Sequence, residues 1–328
     1  MGDFMEEIFN NLTKLIKQNN NFIIMTHKNP DFDGMGSAIA LQQIIKSFKK
    51  ESYIIVNNKE LDKSMKKAFK LLKDKNIYHN IVSKTEANKL VDDKSVLIIL
   101  DTCKSEMVED FNVLENSKNI VVIDHHIKNK EYIKGTTFNY INSNLSSTVE
   151  FICSYLRYLN KKVDPVIATF LLVGLEIDTN NFKLKTTDKT YESAAFLTRM
   201  GSDNVLKQEL LQESIESYIM RNKLIEKSFM INKNMAMCLA DSKIYRKQDL
   251  ANIAEELLQF ENVEASFAIG KINSKQIGIS ARSIGTIDVE EIMEKLGGGG
   301  HLNEAAAQIE NKTILEVKEM LKEVIKWK

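Results

Sequence analysis

The sequence predicts an α/β protein of two domains, a mostly parallel sheet with flanking helices followed by a smaller α/β domain. Three observations carry that prediction. The chain has 328 residues, more than the roughly 100–200 of one domain. Its first half alternates short, continuous apolar runs with helical patterns, the rhythm of parallel strands covered on both faces. Past a long helical middle, a second series of strands and helices begins near residue 232.

The N-terminal stretch MGDFMEEIFNNLTKLIKQ spaces its apolar residues as a helix does. It carries acids where a secretory leader needs bases, and Glu6 where an acylation signal needs Ser or Thr. Phe22–Thr26, Tyr53–Val56, Val96–Leu100 and Ile120–Ile123 are β-rich apolar runs and read as buried strands. Helical patterns at Ser37–Lys50 and Lys63–Lys73 separate them, so right-handed crossovers are expected. From about Thr148 to Ile231 the pattern is helical, with only Asn180–Leu184 expected to be extended. A helix around Ser214–Met230 serves as the connector. Strands at Asn234–Ala240, Val263–Lys271 and Gln276–Arg282 follow, with helices at Gln248–Leu258, Val289–Leu296 and Thr313–Lys326. The expected boundaries are 1–200, 201–231 and 232–328.

Composition narrows the functional classes. Hydrophobic residues make up 43% and charged residues 27% of the chain, the balance of a soluble globular protein rather than a disordered one. Lys+Arg 45 against Asp+Glu 45 leaves no net charge, which disfavours coating of duplex nucleic acid. A small anionic ligand needs only a local cluster. No apolar run approaches the roughly 18–20 residues of a membrane span. Cys103, Cys153 and Cys238 are odd in number, far apart and set in apolar surroundings. They read as buried thiols in a reducing cytoplasm.

The polar residues with chemistry in them sit where predicted strands end. The first strand runs into His27-Lys28-Asn29-Pro30-Asp31-Phe32-Asp33-Gly34-Met35-Gly36-Ser37, at the sheet edge where open α/β folds collect ligands. Asp31 and Asp33 alone would equally be a solvated turn or a helix cap. The third strand ends in Asp101, and the fourth in Asp124-His125-His126. Asp178, in GLEIDTNNF, follows another apolar stretch and taken alone reads as a polar helix end. Aspartates and imidazoles without thiolate suit two hard-to-borderline divalent ions such as Mn²⁺. Such a pair can clamp an in-line displacement at phosphorus. Asp101, between the other motifs, is the natural bridging carboxylate.

HKNPDFDGMGS, Asp101 after VLIIL, VVIDHH and GLEIDTN together resemble the four successive motifs of the DHH phosphoesterases, in order and over nearly the whole chain. The resemblance implies that one ion takes His27, Asp31 and Asp101, and the other Asp33, Asp101, His125 and Asp178. It makes Asp124 an orienting residue and turns His126 toward the substrate phosphate.

Gly297-Gly298-Gly299-Gly300-His301-Leu302-Asn303-Glu304-Ala305-Ala306-Ala307 is the second informative segment. A glycine run lets backbone N–H groups converge on an anion, and a helix starting just after it would add partial positive charge. A flexible turn is the plainer alternative. ISARS supplies Arg282 and Ser283 at a strand end, with Arg282 a bidentate phosphate partner or an ordinary surface arginine. ISARSIG with GGGGHLNEAAAQ is similar to the DHH-associated domain of the nuclease and phosphodiesterase branch, nearest to the catalytic module of GdpP-type cyclic-di-AMP phosphodiesterases.

That resemblance implies Mn²⁺-dependent hydrolysis of cyclic-di-AMP to linear pApA in a cleft between the domains. Arg282, Ser283, Gly299, Gly300 and His301 would bind the substrate. The alternative keeps the chemistry but takes pApA, short oligoribonucleotides or 3′-phosphoadenosine-5′-phosphate and releases mononucleotides. A ligand sensor without catalysis is disfavoured by the full set of metal residues. A long-strand exonuclease is disfavoured by the absence of a basic groove. A homodimer is compatible with the sequence. GdpP-type proteins carry membrane and sensory domains ahead of this module, so the chain stands alone or forms part of a longer protein.

Overall fold

The computed structural model describes residues 2–57, 61–77, 80–127 and 132–326, with the side chains of Asp3, His301 and Lys326 outside that description. The chain divides into two compact units, Met1–Gln212 and Glu213–Lys328.

Unit 1 opens with α1 (Gly2–Gln18), whose Phe9, Leu12 and Ile16 lie one helical turn apart and enter the core together. There follow β1 (Asn21–Met25), α2 (Phe32–Ser47), β2 (Glu51–Ile55), α3 (Lys63–Asp74), β3 (Ile81–Val82) and α4 (Lys84–Leu90). Next come β4 (Val96–Leu100), α5 (Phe111–Asn116), β5 (Asn119–Asp124) and β6 (Phe138–Ile141). All pairings are parallel, in the order β3-β2-β1-β4-β5-β6. Strand residues alternate between two cores: Phe22, Ile24, Ile98 and Val121 face one, Ile23, Met25, Ile99 and Val122 the other. Burial on both faces explains the unbroken apolar runs. The crossovers depart in opposite directions from β1 and β4, so the edge at their carboxyl ends opens a crevice.

The helices α6 (Thr148–Tyr158), α7 (Pro165–Asp178), α8 (Asp188–Arg199) and α9 (Asn204–Leu211) complete unit 1. Proline at the first turn and the Asp164 cap start α7, which is otherwise almost wholly apolar and buried. α2 and α7 meet backbone to backbone. A Cβ on Gly174 would lie 2.7 Å from the backbone nitrogen of Asp33, and one on Gly36 would lie 3.3 Å from the carbonyl carbon of Phe170.

The expected extended segment Asn180–Leu184 is instead a turn. The Thr179 carbonyl accepts from the amides of Lys183 at 2.8 Å and Leu184 at 2.9 Å. Asn180, Asn181 and Phe182 take positive φ angles of 45°, 55° and 62°. The two asparagines are residues that tolerate this backbone, and they favour the turn over a strand here.

Unit 2 contains α10 (Ile215–Ile225), β7 (Phe229–Met230), β8 (Met235–Ile244), α11 (Lys247–Leu257), β9 (Ala265–Lys271) and β10 (Gln276–Ser283). It ends with α12 (Val289–Glu294), β11 (Gly299–His301), β12 (Glu304–Glu310) and α13 (Ile314–Lys326). Its sheet is mixed: the order is β11-β12-β10-β9-β8-β7, and only β8 and β9 are parallel.

The glycine run does not lead into a helix. It forms β11 of a hairpin, with Gly299 opposite Ala306, Gly300 opposite Ala305 and His301 opposite Glu304. The alanines alternate between exposed and buried along β12, which is a strand pattern. Added Cβ atoms on Gly298 and Gly300 would fall 2.7 Å from the Cβ atoms of Ala307 and Ala305, whereas one on Gly299 meets nothing within 4 Å. Close approach of two strands is therefore the reason for glycine at 298 and 300. All three cysteines are free and buried. No helix among the described residues is long and apolar enough to cross a membrane.

Candidate metal centre

The loop after β1 is held from below by its neighbour. The backbone of His27 bridges Val108, and Lys28 N–H donates to the Met107 carbonyl at 2.8 Å. His27 Nδ1 lies 2.8 Å from the Lys28 carbonyl, which can only accept, so Nε2 is the nitrogen presented to the crevice. It faces Asp101 Oδ2 at 3.5 Å and Asp31 Oδ2 at 3.8 Å. Asp31 is indeed a helix cap: its Oδ1 accepts from Asp33 N–H at 3.0 Å and Gly34 N–H at 3.1 Å. The cap leaves Oδ2 facing His27, so capping does not exclude a metal-binding role for this residue.

Asp33, in the first turn of α2, is buried and turned the other way. His125 Nε2 stands 3.6 Å from Asp33 Oδ2, 3.3 Å from Asp101 Oδ1 and 3.1 Å from Asp178 Oδ2. Asp178 reaches this point as the last residue of α7, which the Gly174 contact presses onto α2. Asp101 follows β4 with φ 62°, a left-handed conformation that aspartate accommodates better than most residues. Its two carboxylate oxygens divide their contacts, Oδ2 to His27 and Oδ1 to His125. Asp124, at the end of β5, accepts from His126 N–H at 3.2 Å and lies 2.7 Å from His126 Nδ1. What Asp124 orients is thus His126.

Among the described residues, three groups of donor atoms result: His27, Asp31 and Asp101; Asp33, His125 and Asp178; and Asp101, His125 and His126. All the residues predicted as metal ligands are brought together in unit 1. Arg282, Ser283, Gly299, Gly300 and His301 lie in unit 2. There Arg282 Nε pairs with Glu255 at 3.2 Å, and Ser283 Oγ accepts from Gly285 N–H at 2.9 Å. Glu304 stands in register with Arg282 on β10 and with His301 on β11, so the backbone places those two residues on either side of it.

The electrostatics are those of a site with too much negative charge. Burial, then the charges of Asp101 and Asp178, hold the Asp33 carboxyl well above its usual range. Burial, with the charge of Asp31, pushes Asp178 up to about 6 despite a hydrogen bond with His125. Burial opposes protonation of His27, yet hydrogen bonds with Asp101 and Asp31 outweigh it and raise the imidazole to about 12. The same balance lifts His125. Burial likewise works against ionisation of Asp101, but hydrogen bonds with His125 and His27 hold it below its usual range. Clustered carboxylates with inward imidazoles and no thiolate are a donor set for hard-to-borderline divalent cations, and the residues fit them.

Sequence reasoning missed the amino end of α6. Thr148 N–H donates to Asp33 Oδ2 and Val149 N–H to Asp33 Oδ1, both at 2.8 Å, and the Thr148 hydroxyl donates to Asp101 Oδ1 at 3.2 Å. The available signal was Ser147 with Glu150 three residues later, the spacing of a capped helix start.

Comparison with known proteins places this geometry in context. The model of the DHH family, N-terminal domain, matches residues 21–175, and that of the DHHA1 domain matches 232–328. Cyclic-di-AMP phosphodiesterase GdpP of Geobacillus thermodenitrificans is 35% identical over 96% of this chain, which spans 48% of that protein. GdpP of Bacillus subtilis is 33% identical over 96% of this chain, here 49% of the relative. The chain therefore spans about half the length of these curated relatives. An exopolyphosphatase-related protein from Bacteroides fragilis has the same fold, with a TM-score of 0.81 at 20% identity, covering 97% of this chain and 96% of its own.

Proposed function

The chain belongs to the DHH family of phosphoesterases, and on that premise we propose that it is a metal-dependent phosphodiesterase that hydrolyses cyclic-di-AMP to linear pApA. The observation that carries this reading is the pair of donor groups meeting at Asp101, one on each carboxylate oxygen. His27, Asp31 and Asp101 would hold one divalent ion, and Asp33, Asp101, His125 and Asp178 a second, with Mn²⁺ the metal of choice. When bound, two such ions activate water and neutralise charge developing at phosphorus.

The protein's own residues do the rest. Asp124 fixes the Nδ1 side of the His126 ring, so Nε2 is the nitrogen that meets a phosphate oxygen. Arg282, Ser283, Gly299, Gly300 and His301 are the residues for the second phosphate or the ribose. The sequence similarity to the GdpP proteins supports the cyclic dinucleotide, and the reducing cytoplasm suits three free buried cysteines. Turnover of cyclic-di-AMP, cyclic-di-GMP, pApA and a five-nucleotide RNA, each with Mn²⁺ and after chelation, tests the proposal. Chelator-sensitive conversion of cyclic-di-AMP to pApA as the fastest reaction is expected. Faster release of mononucleotides from pApA or RNA would replace this reading with the linear-substrate alternative.

A further inference from the structure

We propose that Thr148 is a positioning residue for the metal pair, acting through Asp33 and Asp101; the inference rests on the two-ion reading above. Three independent pieces of chain meet at this threonine. Asp33 comes from the start of α2, Asp101 from the end of β4, and Thr148 opens α6. Thr148 is wholly buried, so its bonds face no competition from bulk water.

Each bond removes one freedom. The amides of Thr148 and Val149 take one oxygen of Asp33 each, which prevents rotation of the carboxylate and leaves one lone pair per oxygen for an ion. The amide groups also bring the partial positive charge of the helix start to that carboxylate. The Thr148 hydroxyl takes a lone pair of Asp101 Oδ1, the oxygen facing His125. With Oδ1 so held, Oδ2 stays with His27, and Asp101 cannot turn both oxygens to one group.

The start of α6 is itself fixed from behind. Ser147 Oγ accepts from Glu150 N–H at 3.3 Å, and Glu150 accepts from the Ser146 hydroxyl at 2.7 Å and the Thr190 hydroxyl at 3.2 Å. The helix start is therefore a rigid support rather than a loop that follows the ligands.

The test compares wild-type protein with Thr148→Val and Thr148→Ser by Mn²⁺ calorimetry and electron paramagnetic resonance. Valine keeps the shape and both backbone bonds but loses the hydroxyl, and Thr148→Ala is a second hydroxyl-free variant in case valine disturbs folding. Wild-type protein should bind two ions that give an exchange-coupled spectrum. In the valine and alanine variants the weaker ion should bind about tenfold less tightly, as expected for a lost hydrogen bond to a charged group. The coupled signal should give way to that of isolated ions, and kcat should fall more than KM rises. Serine should restore all three. Unchanged affinity and coupling in Thr148→Val, or a serine variant as impaired as valine, would overturn the inference alone. Failure of wild-type protein to bind Mn²⁺ would overturn the two-ion reading with it.

Discussion

In unit 1 all strands run the same way, so β1, β4 and β5 bring their carboxyl ends to one edge, whereas in unit 2 only β8 and β9 are parallel and neighbouring ends point apart. The consequence is visible in the charges. Unit 1 gathers Asp31, Asp33, Asp101 and Asp178 within reach of three histidines, His27, His125 and His126. Unit 2 spends its arginines in ion pairs: Arg221 on Glu213 and Glu256, Arg246 on Asp249, and Arg282 on Glu255 and Glu304. In unit 1 the parallel strands bring His27, Asp101 and His125 to the same edge as Asp31 and Asp33, and the aspartates among them make it a donor set for cations. In unit 2 the described arginines sit in separate ion pairs instead of one cluster.

The largest effect should come from the residue shared by both donor groups. Asp101→Ala is expected to abolish hydrolysis and lower bound Mn²⁺ with the fold retained by circular dichroism. Normal metal content and activity would remove Asp101 from the chemistry. The complementary test in unit 2 is His301→Ala, which should cost roughly ten- to a hundredfold in kcat/KM for a dinucleotide while metal content stays constant. Bis-p-nitrophenyl phosphate should be much less affected, since so small a diester need not reach the glycine hairpin. Equal losses on both substrates would erase the proposed division of labour.

Smaller effects probe the scaffolds. Gly174→Ala forces a Cβ against the Asp33 backbone and should destabilise unit 1 by about 1–3 kcal/mol in urea unfolding while weakening Mn²⁺ binding. pH acts through His27. The metal-free imidazole, raised to about 12, keeps its proton at neutral pH, and an ion must displace it. Binding should therefore release protons and weaken as pH falls, measured by calorimetry in buffers of different ionisation enthalpy. In unit 2, Gly298→Ala should destabilise by about 1–3 kcal/mol, whereas Gly299→Ala, with open space around it, should stay within about 0.5 kcal/mol.

The same contrast decides what the sequence reveals. Val96–Leu100 is recognisable because burial on both faces demands an unbroken apolar run, and Asp101 stands out against it. By contrast β3 has only two residues, and β6 reads FNYI with one polar position exposed, so neither announces itself. The alanines after the glycine run favour a helix by local propensity, yet pairing with β10 makes them a strand. Thr148 escapes notice because its role depends on residues brought from distant parts of the chain, and no local pattern records that meeting. His27, Asp31 and Asp33 were readable for the opposite reason: one short loop carries them all.

The arrangement of unit 1 also sets an order of events during synthesis. His27, Asp31 and Asp101 all precede α6 and α7 in the chain, so the residues of this group are synthesised first. The second group waits for Asp178, which leaves the ribosome several seconds later at ~5–20 residues per second. A nascent chain therefore carries every residue of the first group before the second group is complete. The first group gains the Thr148 bond to Asp101 only once α6 has followed, so its final geometry waits on the later helix.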